Sequence, residues 1–173
     1  MKRHNAAFLA GLKGLTTLYL NNNPLGSLTL PNLPDLTFVA LTNDHLTSLT
    51  LPLDLTNLAS LVLTGNPINT FVLPESLADT SLSGLVTLLT QQGAHVYAYP
   101  MTLNLGLPTR TPDGVLTFNL TGPPDAYHIL GSSDLITWSE VETITNLVGS
   151  AVFTDVQTTN ASSRFYRGVT RLP

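Results

Sequence analysis

Apolar residues recur at a fixed spacing through the first seventy positions. Leu15, Leu18, Leu20, Asn23 and Leu25 form one set. Leu36, Val39, Leu41, Asp44 and Leu46 form a second, and Leu58, Leu61, Leu63, Asn66 and Ile68 a third. These are three passes of L-x-x-L-x-L-x-x-N-x-L, beginning 21 and then 22 residues apart, with Asp44 standing where the other two carry Asn. Alternate side chains of a strand face opposite ways. Leu18 with Leu20, Val39 with Leu41, and Leu61 with Leu63 therefore share a core-facing side. Thr17, Tyr19, Asn21, Phe38, Ala40, Thr42, Ser60, Val62 and Thr64 face outward.

A second apolar string follows each bend: Leu28, Leu30 and Pro31; Leu49, Leu51 and Pro52; Phe71, Leu73 and Pro74. This L-x-L-P spacing predicts a second short extended segment per pass. Proline ends it because it cannot donate a ladder hydrogen bond. Leu82, Leu85, Leu88 and Leu89 then recur at helical spacing. A helix is expected near 81–92, with Thr80 or Ser81 at its start and Gly93 at its end. His95 to Tyr99 reads as a strand. It is expected to add a fourth parallel strand beside the array; if it stays in register, His95, Tyr97 and Tyr99 join the outward face.

The period and pattern resemble the leucine-rich repeat, a solenoid with one short strand per coil. That resemblance implies buried Asn side chains at the bends, bonded to backbone groups of neighbouring coils. Asn23, Asp44 and Asn66 occupy those positions. An ionised Asp44 accepts hydrogen bonds but donates none, so its rung is expected to be weaker or partly exposed. The helix and closing strand would cap the last coil. The chain enters in mid-repeat, since Leu12 precedes Leu15 as Leu33 precedes Leu36 and Leu55 precedes Leu58. The expectation is the C-terminal piece of a longer protein, or a start codon inside a decayed array.

From about residue 101 the repeat gives way to turn signals: Pro108, Thr111 to Gly114, and Gly122 to Asp125. Between them lie β-rich runs at 115–120, 127–132, 136–145, 151–155 and 164–169. They predict a small antiparallel β-sandwich, with Trp138 anchoring its core. Tyr127, Ile129, Ser132, Asp134, Leu135 and Trp138, then Phe153 and Asp155, then Phe165, Tyr166 and Arg167 follow Y-x-I-x-x-S-x-D-L-x-x-W, F-x-D and F-Y-R. This resembles the small C-terminal β-domain of many secreted proteins of the Verrucomicrobia and Planctomycetes. The preceding repeats resemble those found in proteins carrying that tail. The resemblance implies export to, or beyond, the cell surface. It implies no ligand.

The fold class is therefore mainly β. The expectation is a leucine-rich repeat array over 1–100, with one capping helix near 81–92, followed by an antiparallel β-sandwich over 101–173.

Charge narrows the function. Only 10% of residues are charged, the net charge is −4, and no Lys or Arg falls between Lys13 and Arg110. Nucleic-acid binding needs a basic patch to displace counterions, so that role is not expected. Cysteine is absent, and no apolar run approaches the ~20 residues of a membrane span. Met1 to His4 lacks the following apolar region that a signal peptide needs.

No motif for nucleophilic, phosphate-binding or metal-dependent chemistry occurs. His4, His45, His95 and His128 have no metal-ligand spacing. Asp125, Asp134, Glu140, Glu142 and Asp155 could be weighed for Ca²⁺, but they are scattered. Asp134 better suits a turn cap, and Asp155 an Arg–Asp pair. Asn119 and Asn160 fit N-x-S/T, a coincidence in a bacterial chain. The expectation is a non-enzymatic binding or scaffold module without cofactor or metal. Its partner, a protein before a polysaccharide, would dock on Tyr19, Asn21, Phe38, Thr42, Ser60, Thr64 and Tyr97. The alternatives are a carbohydrate-binding accessory of a secreted polysaccharide-degrading protein and a purely structural or sorting tail.

Overall fold

A computed structural model describes residues 4–156 and 164–170. The expectations at Met1 to Arg3 and at Asn160 concern residues outside the described ones. The chain is mainly β and divides into two compact units, residues 1–101 and 102–173.

In the first unit the two apolar strings of each pass build two different parallel sheets. The first string forms β2 (Thr17–Tyr19), β4 (Phe38–Ala40) and β6 (Ser60–Val62), which pair in that order. The second string forms β3 (Ser27–Thr29), β5 (Ser48–Thr50) and β7 (Thr70–Pro74). These lie in a five-stranded sheet ordered β1-β3-β5-β7-β8, with β1 at His4–Asn5 and β8 at His95–Tyr99. Leu18, Val39 and Leu61 point inward from one sheet, and Leu28, Leu49 and Phe71 from the other. All belong to one buried core, completed by Leu30, Leu33, Leu36, Leu51, Leu55 and Leu58.

Each pass turns between sheets at a left-handed residue: Asn22 (φ 64°), Asn43 (φ 58°) and Gly65 (φ 76°). Asn tolerates this conformation and Gly adopts it freely. A Cβ at Gly65 would meet Oδ1 of the Asn43 side chain, which would have to shift.

After β7 the chain forms α1 (Glu75–Ala78) and α2 (Ser83–Gln91). The helix predicted at 81–92 starts two residues later, and neither Thr80 nor Ser81 caps it. Leu82 holds the N-cap position without a side-chain bond, while Ser81 Oγ donates to the Leu58 carbonyl at 2.6 Å. At the far end Gly93 (φ 86°) and Ala94 donate to the carbonyls of Thr90 and Leu89, each at 3.0 Å, the pairing that closes a helix on a left-handed glycine.

β8 is a parallel strand beside the array, as expected, but it is not in register with the first-string strands. It pairs in parallel with β7, Val72 opposite Tyr97, and so joins the sheet of the second string rather than β2-β4-β6. Tyr99 does not face outward. It is fully buried, and its hydroxyl donates to the Leu51 carbonyl at 2.7 Å. Tyr99→Phe is expected to cost about 1 kcal/mol, the net worth of one such bond, measurable by urea denaturation. No change in midpoint would remove the tie from the account.

In the second unit β9 (Asn104–Leu105), β10 (Thr109–Arg110) and β14 (Ser150–Asp155) pair antiparallel with β11 (Leu116–Thr121). A second antiparallel sheet is ordered β13-β12-β15, from β12 (Asp125–Ser132), β13 (Ser139–Asn146) and β15 (Phe165–Val169). Phe118 and Phe153, with ring centroids 4.7 Å apart, pack beside Tyr166, Tyr127, Ile129 and Leu120.

Trp138 is not the anchor of this core. It is half-buried at the end of a turn, covered by the Arg167 guanidinium 4.4 Å from its ring centre, with its indole N–H toward the Leu135 carbonyl at 3.3 Å. The turn is organised by Asp134. Its carboxylate accepts from the amides of Thr137 at 2.8 Å and Ile136 at 2.9 Å, and from Ser132 Oγ at 3.0 Å. Those bonds hold its pKa down at about 2. The strand expected from Ile136 accordingly begins only at Ser139. Asp155 is buried beside Arg164 Nε at 2.8 Å and accepts from Tyr166 Oη at 2.9 Å. Burial and that bond raise the Tyr166 pKa to about 12.

Candidate functional site

The outer face of β2-β4-β6 gathers most of the nominated binding residues. Strand register places Thr17, Phe38 and Ser60 in one row and Tyr19, Ala40 and Val62 in the next. Inward leucines and valine hold these strands to the core; of the alternate residues Thr17 and Tyr19 are exposed, Phe38, Ser60 and Val62 half-buried, and Ala40, expected to face outward, is buried. Tyr19 is 65% exposed, and its ring centre lies 5.4 Å from that of Phe38 at a 46° tilt. The two therefore form one aromatic step across neighbouring strands, the kind of cross-strand pair that supports a sheet and also offers apolar contact area.

Beyond the strands the chain continues in step. Asn22 and Asn43 donate their amides to the carbonyls of Thr42 and Thr64, at 2.8 and 3.0 Å. Asn21 spends its side-chain oxygen on the Thr42 amide at 2.7 Å, so it braces the face as well as lining it. Thr42 is half-buried and Thr64 exposed. None of these residues is ionisable near neutral pH. The face can take up apolar or aromatic groups and exchange hydrogen bonds through hydroxyls and amides.

Tyr97 is separated from this set. It lies on the other parallel sheet, stacked beside His95 with ring centres 6.4 Å apart.

The bend residues behind the face form a ladder. Asn66 Oδ1 accepts from the amides of Asp44 at 2.8 Å and Leu46 at 3.0 Å, and its Nδ2 donates to the carbonyls of Leu63 at 3.0 Å and Leu41. Asp44 Oδ1 accepts from the Asn23 amide at 2.6 Å, and Asn23 Nδ2 donates to the Leu20 carbonyl at 2.6 Å. Of the two expectations for Asp44, a weaker rung or partial exposure, exposure is not met: it is fully buried, and its Oδ2 has no hydrogen-bond partner among the described residues. Burial raises its pKa, opposed by the Asn23 amide and the charge of His45.

Sequence reasoning missed one feature. A cleft of about 390 Å³ runs between β6 and α2, lined by Leu61, Leu63, Leu85, Leu88, Leu89 and Gln92 among others. The helical spacing of the leucines predicted the helix but not which of them face this cleft. Leu82 and Leu89 are buried, but Leu88 is 50% exposed.

Among the described residues no three His, Asp or Glu side chains converge to hold a metal, and no helix is long and apolar enough to cross a membrane. No family model, curated protein or solved structure matches the chain.

Proposed function

We propose that this chain is a non-enzymatic protein-binding module, a short leucine-rich repeat solenoid followed by a small β-sandwich, that works at the bacterial cell exterior. The observation that carries the reading is the Tyr19–Phe38 pair on an uncharged strand face. Aromatic side chains dominate interface energies, because a large rigid surface is buried at small entropic cost. Ser60, Thr42 and Thr64 supply hydrogen bonds around that anchor. The exterior location rests on the resemblance of residues 127–167 to the tail domain of secreted proteins.

The test is capture of surface proteins by the chain and by a Tyr19→Ser, Phe38→Ser variant, beside a polysaccharide panel. Loss of a captured protein by at least tenfold in the folded variant is the expected result. Equal capture by both chains removes the face from the account. Retention on polysaccharide, unaffected by the two changes, moves the function to the second unit. That second outcome has less support, since Arg167 covers the one tryptophan of that unit.

A further inference from the structure

We propose that the free edge of β6 is a second binding site, which takes an uncharged peptide in extended form as an added parallel strand. It is independent of the aromatic face.

The hydrogen-bond pattern sets the geometry. Leu20 donates its amide to the Ala40 carbonyl at 3.0 Å, and Leu41 donates to the Val62 carbonyl at 2.9 Å. Leu63 is the third in that series. In a parallel ladder the amide and carbonyl of one residue point to the same side, and the next residue's point to the other. Ser60 donates to Thr37, and Val62 accepts from Leu41, so both face β4. The backbone of Leu61 and the amide of Leu63 therefore face away from it, and β6 pairs only with β4 among the described residues. The Leu63 carbonyl already receives Asn66 Nδ2. What remains is a donor and an acceptor on Leu61 and a donor on Leu63, the set that an extended backbone matches.

The other sheet has no such gap in its order, because β8 extends it past β7. Between β7 and β8 the chain runs through α1 and α2, and the apolar side of α2 forms the far wall of the cleft. The cleft between that wall and the edge of β6 has a volume of about 390 Å³. Leu85, Leu88 and Leu89 offer apolar contacts, and among the described residues none lining the cleft is charged. The occupant is accordingly a short neutral segment with apolar side chains at alternate positions.

The test uses the full chain and acetylated, amidated heptapeptides with Leu, Val or Ile alternating with Thr. Amide hydrogen exchange, read residue by residue, is expected to slow at least tenfold at Leu61 and Leu63 on peptide addition. It should stay unchanged at β2, the opposite edge of the same sheet. N-methylation of one alternate set of peptide amides should abolish the effect, and methylation of the other set should leave it. Leu88→Glu, at a half-exposed helix position, should weaken binding at least tenfold. The Tyr19→Ser, Phe38→Ser variant should bind the peptide as the parent does. The proposal fails if no peptide of the panel slows exchange at Leu61 and Leu63, or if both methylated forms bind like the parent peptide. If Leu88→Glu does not fold, the two peptide arms still decide.

Discussion

Asn66→Ala is expected to destabilise the first unit by about 3–5 kcal/mol, far more than Asn23→Ala. Truncation of Asn66 leaves the amides of Asp44 and Leu46 without their acceptor, and both residues are fully buried. Each buried donor left unpaired costs about 1–3 kcal/mol, and the carbonyls of Leu41 and Leu63 lose a donor as well. Asn23 carries the same residue type at the same repeat position. Its side chain is exposed and bonds only to Leu20 and Asn21 within its own pass, so Asn23→Ala should cost about 1 kcal/mol or less. Urea denaturation followed by far-UV circular dichroism measures both. Similar losses for the two variants would show that the bend residues act singly and not as a ladder between passes.

That contrast marks what the sequence could and could not reveal. The strand positions were legible because a period-two apolar pattern, repeated every 21 or 22 residues, leaves one consistent inward face. The bend role of Asn66 came from the resemblance to leucine-rich repeats, and it suits a turn whose free amides a short carboxamide can reach. The sheet that β8 joins was not legible. The alternation from His95 to Tyr99 fits either sheet, and the choice is made by where α1 and α2 return the chain, beside β7.

Trp138 misled for a related reason. Its size argues for a core position, but Asp134 gathers the amides of Ile136 and Thr137 into a turn and carries the indole to the edge, under Arg167. Of the candidate face, Tyr19, Phe38, Ser60, Asn21, Thr42 and Thr64 were placed by the repeat itself, and Tyr97 was lost with the strand. The cleft beside β6 had no signal in the pattern, because an exposed leucine at helical spacing reads the same as a buried one.

Asp44→Asn is expected to stabilise the first unit by about 2 kcal/mol at neutral pH. Asp44 Oδ1 already makes the contact that an Asn oxygen would make, accepting from the Asn23 amide. The difference lies at the second oxygen. In Asn23 and Asn66 that position carries Nδ2, which donates to the carbonyl three residues back, Leu20 or Leu63. In Asp44 it carries Oδ2, buried and without a partner. Asn restores a donor there and removes a buried charge, each an effect of order 1 kcal/mol or more. The pH dependence has a definite sign. Burial raises the Asp44 pKa above its ordinary value of 3.8, so the folded state holds the proton more tightly than the unfolded chain. Stability of the parent therefore falls as pH rises from about 4 through the folded-state pKa, while Asp44→Asn lacks this contribution. The gap between the two chains should be smallest near pH 4 and widest near pH 7, with other titrations common to both. Paired denaturation curves across that range test it. A gap that is constant with pH, or a variant less stable than the parent at pH 7, would mean that the carboxylate is compensated inside the fold.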